Sequence, residues 1–155
     1  MTLFQKILLI ALSFSLVSCG SSVPPSTSLP SNSGEVRTIL ALGDSLTAGY
    51  GLPIEESYPS QLEAVLQKEG YNYRVQNAGI SGDTSAQLLA RLDWILEGGT
   101  YDLAIVVIGA NDAFQGIEPS VLEANLRSII TKLQDKKIPV FLGGMKSPRN
   151  LGITY

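Results

Sequence analysis

The sequence contains no histidine and a single cysteine, and its charged residues are few and scattered. Without histidine, the usual general base for a serine nucleophile is absent. One cysteine cannot form an internal disulfide, and scattered carboxylates without histidine do not favour a zinc site. The 11 basic and 14 acidic residues give a formal net charge of −3 with no basic cluster, which disfavours nucleic acid as a partner.

The N-terminal segment has the layout of an export signal. Lys6 precedes an apolar run that is too short to span a bilayer comfortably. The run ends in Leu-Val-Ser-Cys-Gly at positions 16–20, which resembles the lipobox of bacterial lipoproteins. The resemblance implies cleavage before Cys19 and acylation of that cysteine, and therefore an exported protein anchored by lipid to a bacterial membrane. A plain signal peptide with an incidental cysteine is the alternative.

Three segments follow from composition: a lipoprotein signal peptide at 1–18, a tether at 19–35 and a folded domain at 36–155. The tether is rich in serine and proline and has too little apolar surface to fold, so a semi-extended chain is expected there. Of the 155 residues, 45% are hydrophobic and 16% are charged, which is typical of a globular protein and allows one domain at most.

Strand and helix patterns alternate along this domain. Apolar segments predict strands at 37–42, 73–76, 103–108 and 138–142, and the unbroken third one is expected to be covered on both faces. Ser57, Thr84 and Pro119 mark the starts of three helices, with Thr84 and Gln87 forming a capping box. Trp94 is expected to pack within the second helix. The helix positions expected on the inner faces are Leu62, Val65, Leu66, Ser85, Leu88, Leu89, Leu92, Ile95, Leu96, Val121, Leu122, Leu126, Ile129, Ile130 and Leu133.

The β-α-β-α-β-α-β order predicts an α/β fold with a parallel sheet and right-handed crossovers. In such a sheet ligands bind at the carboxyl ends of the strands. Three glycine-bearing blocks should meet there. They are Gly-Asp-Ser-Leu at 43–46, Asn-Ala-Gly-Ile-Ser-Gly-Asp-Thr at 77–84 and Gly-Ala-Asn-Asp at 109–112. Ser45 is the candidate nucleophile, because it directly follows the first buried strand.

Other interpretations of these blocks remain open. The Ser45 turn could be an ordinary strand-to-helix turn or an anion-binding nest. Gly79 and Gly82 could serve only as turn residues, and Asn111 could bond the turn backbone. The aspartates at positions 44, 83 and 112 fit loop-bracing acceptors better than acids or bases. Tyr50 and Tyr58 are ambiguous between the pocket rim and helix packing.

The three blocks together resemble the GDSL or SGNH hydrolases, and within them the bacterial arylesterase and acyl-CoA thioesterase/lysophospholipase branch. The tail at 145–155 resembles the loop after strand four in that branch. The resemblance favours a flavodoxin-like three-layer α/β/α fold with strand order 2-1-3-4 and the fifth strand missing. It implies a serine ester hydrolase that acts through an acyl-enzyme on small-molecule esters, lysophospholipids or thioesters, without a cofactor.

The resemblance also assigns roles. Ser45 is the nucleophile, and the oxyanion hole consists of the Ser45 and Gly82 backbone N–H groups and the Asn111 side-chain amide. Fixed neutral donors of this kind stabilise a developing oxyanion by roughly 2.7–4 kcal/mol each. Supporting positions are Asp44, Gly109 and Asp112.

Family members complete the site with a C-terminal Asp-x-x-His block that this sequence does not contain. We therefore expect this chain by itself to be inactive or weakly active, and its fourth strand to be an exposed apolar edge that invites association. The alternative function is a non-catalytic, lipid-anchored binding lipoprotein that uses the same crevice. A phosphate- or nucleotide-binding domain is disfavoured, because no Gly-x-Gly-x-x-Gly motif or P-loop follows the first strand.

Overall fold

A computed structural model describes residues 34–146 of the chain. The predicted signal peptide, Cys19, most of the predicted tether and residues 147–155 lie outside this described part. The strands are β1 (Arg37–Gly43), β2 (Tyr73–Gly79), β3 (Leu103–Val107) and β4 (Val140–Leu142). The helices are α1 (Ser45–Ala48), α2 (Tyr58–Lys68), α3 (Ser85–Glu97), α4 (Ala110–Phe114) and α5 (Pro119–Asp135), with a 3₁₀ turn at Ile54–Glu56.

The four strands pair in parallel in the order β2-β1-β3-β4. This confirms the predicted α/β class and the predicted strand order. Strand β1 lies between two neighbours and is buried from Ile39 to Gly43. It is therefore the most enclosed strand of the sheet, and the turn that carries Ser45 follows directly from it.

The hydrophobic core lies between one face of the sheet and helices α3 and α5. Strand alternation places Leu40 beside Ala104 and Leu42 beside Val106 on this face. The helices cover these residues with Leu88, Leu92, Ile95 and Leu96 from α3 and Ile129 and Leu133 from α5.

The three predicted helices begin where the sequence predicts, but one predicted cap bond is not formed. Helix α3 has the predicted capping box, in which the Gln87 N–H donates to Thr84 Oγ1 and the Thr84 N–H donates to the Gln87 side-chain oxygen. Pro119 opens α5. Ser57 precedes α2, but its hydroxyl donates to the Ile54 carbonyl oxygen at 2.7 Å and makes no cap bond to the helix.

The opposite face of the sheet is covered unevenly. Helix α2 packs against β2, at the other edge of the sheet from β4. Along β3, buried residues alternate with half-buried ones, so the prediction that this strand is covered on both faces is wrong. In β4, Phe141 is 63% exposed, which fits the predicted exposed edge.

Several local predictions require correction. Trp94 is 78% exposed and does not pack, because at 3.6 residues per turn it falls outside the stripe formed by Leu88, Leu92 and Ile95. Val65 and Val121, predicted on inner helix faces, are also exposed. Strand β2 runs three residues further than predicted, since its pairing with β1 continues to Gly79. None of the helices within residues 34–146 has the length and apolar character needed to cross a membrane.

Candidate active site

The three glycine-bearing blocks lie at one edge of the sheet. Gly43 ends β1, Gly79 ends β2, and Gly109 follows β3 by two residues. All three therefore lie at the carboxyl edge, where ligands bind in folds of this type. Ser45 is the first residue of α1, and Asn111 is the second residue of α4.

Asp44 determines how α1 begins. Its Oδ1 accepts the backbone N–H of Leu46 at 3.0 Å, which makes it the N-cap residue. The helix ends after four residues at Gly49, which has a left-handed φ of 80°. A helix this short has little stability of its own, so the position of Ser45 depends on this cap and on the packing of α1 against β2.

Gly43 and Gly79 allow α1 to approach the sheet closely. A Cβ on Gly43 would lie 2.1 Å from Thr47 Oγ1 and 2.3 Å from the Val107 carbonyl oxygen. A Cβ on Gly79 would lie 2.3 Å from the backbone nitrogen of Ala48. Both positions therefore exclude any side chain, and the helix that bears Ser45 lies directly on strand backbone.

Arg91, on α3, connects the ends of β1 and β2 with the loop that follows β2. Its Nε donates to Asp83 Oδ2 at 2.7 Å, and its guanidinium also donates to the Ala78 carbonyl oxygen at 2.8 Å and to the Gly43 carbonyl oxygen at 3.2 Å. The Arg91 and Asp83 side chains are 18% and 9% exposed, so the pair is largely desolvated. One side chain thus holds three backbone segments around the turn of Ser45.

Asp112 holds the third block in place through hydrogen bonds. Its carboxylate accepts from both the backbone N–H and the hydroxyl of Ser85, at the start of α3. The Asn125 side chain of α5 donates to the same Ser85 hydroxyl at 2.9 Å. Asp112 is fully buried, and these bonds connect α4, α3 and α5 beneath the edge of the sheet.

Asn111 connects the second and third blocks. Its Nδ2 donates to the Asp83 carbonyl oxygen at 2.9 Å. Asp83 directly follows Gly82, whose φ of +90° is a conformation that only glycine adopts readily. An amide nitrogen carries two hydrogens. The contact with the turn backbone therefore uses one donor of Asn111 and leaves the second hydrogen to be satisfied elsewhere.

Ser45 and Asn111 line the same cavity, which has a volume of about 600 Å³. Its walls are mostly apolar and come from α4, α5 and the loop after β4. Gly109 lines it as well, and Gly82 does not. The structure thus brings together three of the predicted residues at the cavity, with Gly82 adjacent through the bond between Asn111 and Asp83.

The three aspartates of the blocks are all engaged away from Ser45. Asp83 pairs with Arg91, Asp112 accepts from Ser85, and Asp44 caps α1. Burial raises the pKa of Asp44 above its ordinary value, and its Oδ2 has no hydrogen-bond partner among the described residues. Within residues 34–146, no side chain accepts a hydrogen bond from the Ser45 hydroxyl.

Arg91, Ser85 and Asn125 were not predicted as site residues. A signal for Arg91 exists in the sequence, because this cation sits three residues after Leu88 and four before Ile95, inside the apolar stripe of α3. A charged residue at such a position must find a buried partner. Ser85 and Asn125 carry no comparable signal, since their contacts cross between different elements.

Comparison with known proteins gives a consistent result. The family model of the GDSL-like lipase/acylhydrolase family matches residues 41–154. An arylesterase of Vibrio mimicus is 42% identical over 117 residues, which cover 76% of this chain and 58% of that protein. The thioesterase 1/protease 1/lysophospholipase L1 of Escherichia coli K12 is 36% identical over 118 residues, which cover 76% of this chain and 55% of that protein.

The fold agrees with these sequence matches. The crystal structure of AlinE4, an SGNH-hydrolase family esterase, superposes with a TM-score of 0.76 at 49% identity, covering 79% of this chain and 66% of that one. The chain spans between 55% and 59% of the length of the curated relatives it matches. The family match begins within β1 and continues past β4, and the similarity covers only part of each relative.

Proposed function

Because the chain belongs to the GDSL-like lipase/acylhydrolase family, we propose that its domain serves the hydrolysis of carboxylic esters through an acyl-enzyme on Ser45. The Ser45 oxygen attacks the carbonyl carbon, the bond from that carbon to the alcohol oxygen or thiol sulfur breaks, and the leaving group departs with a proton. Water then attacks the acyl-serine, releases the carboxylic acid and restores the hydroxyl. The proposed substrates are small aryl or alkyl esters, lysophospholipids and acyl thioesters.

The observation that carries this proposal is the cavity shared by Ser45 and Asn111. A carbonyl oxygen above Ser45 would accept from the Ser45 N–H, the Gly82 N–H and the second amide hydrogen of Asn111. Neutral donors held by the Arg91 and Asp112 contacts need little reorganisation when the oxyanion forms, which is the source of their effect on rate. Asp44, Gly109 and Asp112 act in this proposal as positioning residues.

We also propose that this chain, acting alone, has only weak activity. The sequence has no histidine, and the three block aspartates are engaged in bracing contacts. Triad enzymes that lose a member retain about 10³–10⁴-fold acceleration over water from the oxyanion hole and binding. We expect an activity no greater than this for the 155-residue chain.

Hydrolysis of p-nitrophenyl acetate by the full chain tests the proposal. The wild type should exceed Ser45→Ala, and added imidazole should widen the difference, because it can take the serine proton in place of a histidine. Ser128→Ala, an exposed serine on α5, is the matched control and should behave as the wild type.

Equal rates for wild type and Ser45→Ala, with and without imidazole, would reject Ser45 as nucleophile. If equal rates were accompanied by saturable binding of a long-chain acyl ligand, the non-catalytic binding lipoprotein would be the better description.

We also propose that the protein is exported and anchored to a bacterial membrane through Cys19, on the periplasmic or cell-surface side. Support comes from the sequence: an apolar run after Lys6 and a lipobox-like end before Cys19. Metabolic labelling with a radioactive fatty acid should mark the wild type and leave Cys19→Ser unlabelled. Equal labelling of both would contradict this anchor.

A further inference from the structure

Exposed apolar side chains are concentrated at the carboxyl edge of the sheet. Half of the large hydrophobic residues that are exposed in the described part lie on loops or short helices that follow a strand at this edge. We call them the apolar rim: Leu46, Tyr50, Leu52, Ile54, Ile80, Phe114 and Met145. The other exposed large hydrophobic residues of the described part lie near the amino edge, on the long helices or in β4: Val36, Val65, Tyr71, Trp94, Val121, Phe141 and Leu142.

Part of the rim borders the candidate site. Leu46, Phe114 and Met145 line the cavity that also contains Ser45. Tyr50 and Ile54, which are 80% and 75% exposed, come from the segment between α1 and α2. This segment is tied to the Ser45 turn, since the Tyr50 N–H donates to the Ser45 carbonyl oxygen at 3.0 Å. Large exposed apolar side chains gathered beside a cavity are typical of a surface that contacts a partner or a membrane.

The charges at this edge indicate which kind of lipid surface it can contact. Asp44, Asp83 and Asp112 are buried, so they add little to the outer surface. On the described loops of the carboxyl edge, the exposed charged residues are Glu55, Glu56, Glu118 and Lys146. Within residues 34–146, the loops of this edge therefore expose three carboxylates and one ammonium, and such a set of charges is not attracted to anionic lipid, which recruits clusters of Lys and Arg.

We propose that the apolar rim docks onto the surface of a zwitterionic lipid bilayer, so that the opening beside Ser45 faces the lipid. Tyrosine and aliphatic side chains at the rim would enter the boundary between headgroups and acyl chains, where such side chains are stabilised. An ester substrate held in the bilayer would then reach the cavity without crossing water.

The chain outside the described residues is long enough to permit this orientation. β1 begins at the amino edge of the sheet, opposite the rim. Between Cys19 and Arg37 lie residues 20–36, which at about 3.1 Å per extended residue reach roughly 50 Å. A domain of this size is about 35 Å across. An anchor at Cys19 and a rim on the same membrane are therefore compatible.

This inference goes beyond the proposed ester hydrolysis. It depends on the proposed anchor only because residues 20–36 must be long enough for the anchor and the rim to meet the same membrane. Docking requires no turnover, so Ser45→Ala should dock as the wild type does. Loss of esterase activity and loss of docking are thus separate outcomes.

Site-specific fluorescence tests the orientation. The full chain carrying Cys19→Ser is made by cell-free synthesis, so that the apolar residues 7–17 are retained. Each variant then attaches to vesicles through the same N-terminal segment. A nitrobenzoxadiazole dye is placed on one new cysteine: Tyr50→Cys or Ile54→Cys at the rim, Val65→Cys or Tyr71→Cys as controls. All four positions are exposed and apolar, and the controls lie on α2 and near the amino edge.

With phosphatidylcholine vesicles, the rim dyes should shift to shorter wavelength and be quenched by doxyl-labelled lipids, while the control dyes stay unchanged. Vesicles rich in phosphatidylglycerol should give smaller shifts at the rim. Leu52→Asp with Ile54→Asp should abolish the shift of the Tyr50→Cys dye while leaving the far-UV circular dichroism unchanged.

Three results would overturn the proposal. Unchanged rim dyes would show that the rim does not meet lipid. Equal shifts at rim and control positions would indicate attachment without orientation. Rim shifts that appear without vesicles and grow with protein concentration would assign the rim to a second copy of the chain.

Discussion

The Ser45 end of β1 and the exposed strand β4 belong to one parallel sheet, but different forces hold them. At the Ser45 end, the largely desolvated Arg91 donates to the backbone of Gly43 in β1 and Ala78 in β2, and the buried Asp112 accepts from Ser85 at the start of α3. β4 has three residues, one paired neighbour in the described part, and an exposed Phe141. Specific polar contacts are thus concentrated around the turn of Ser45, while the β4 edge presents apolar surface that favours association.

The largest expected effect comes from removing Arg91. Arg91→Ala leaves Asp83 buried without its partner and removes donors to two carbonyl oxygens. Breaking a buried ion pair costs about 3–5 kcal/mol, and we expect a loss near the lower value in the free energy of unfolding, measured in urea. Arg127→Ala is the control, because its pair with Glu123 is exposed and should change stability by less than about 0.5 kcal/mol.

Similar losses for Arg91→Ala and Arg127→Ala would contradict the difference between the two regions. Such a result would mean that the Ser45 end is held by apolar packing alone.

A smaller effect should appear as a pH dependence at Asp44. Burial raises the pKa of Asp44 above its unfolded value of about 3.9. The stability that this group contributes is therefore fully present below that value and is lost as the pH rises through the folded pKa. Asp44→Asn retains an oxygen that can accept from the Leu46 N–H and does not titrate. Its stability relative to the wild type should rise between pH 4 and pH 7.

Urea unfolding of both proteins across this range measures the effect. A difference that is constant with pH would show that Asp44 titrates normally despite its burial. Asp93→Asn, an exposed partner of Lys132, provides the comparison at the surface.

The smallest expected change in stability is at the β4 edge. Phe141→Lys should alter the free energy of unfolding by no more than about 0.5 kcal/mol, because the side chain is already exposed. Self-association, measured by light scattering over a range of protein concentrations, should fall, since charged residues protect edge strands. Thr131→Lys on the exposed side of α5 should leave association unchanged; an equal decrease for both variants would reflect net charge only.

The sequence predicts the sheet well because its signals are local. The capping box at Thr84 and the apolar run of β1 specify their elements from neighbouring residues alone. The parallel direction of the strands then follows from the alternation of strand and helix, and their order from the family resemblance. The ends of the strands depend less on neighbouring residues. Strand β2 continues to Gly79 because β1 offers pairing partners, which the residues of β2 do not indicate.

The candidate site was predicted in part. Ser45, Asn111 and Gly109 do meet at one cavity, because each follows the carboxyl end of a strand. The partners that hold this arrangement could not be predicted: the position of Arg91 in the apolar stripe indicates a buried partner but not which one, and Asn125 bonds a hydroxyl far away in the sequence. Whether a polar side chain on a helix faces solvent or a loop depends on the tertiary path of the chain.

The glycines at positions 43 and 79 cannot be replaced without moving the backbone around them. A Cβ at either place would come within 2.3 Å of fixed atoms, whereas an ordinary contact begins at 3.4 Å. Relieving such an overlap would lift the short helix by roughly 1 Å, a misplacement that costs about a hundredfold in rate for a positioned group. For the proposed ester hydrolysis, selection would therefore preserve Gly43 and Gly79, although neither lines the cavity, because a bare backbone at both positions sets the height of the Ser45 hydroxyl above the sheet.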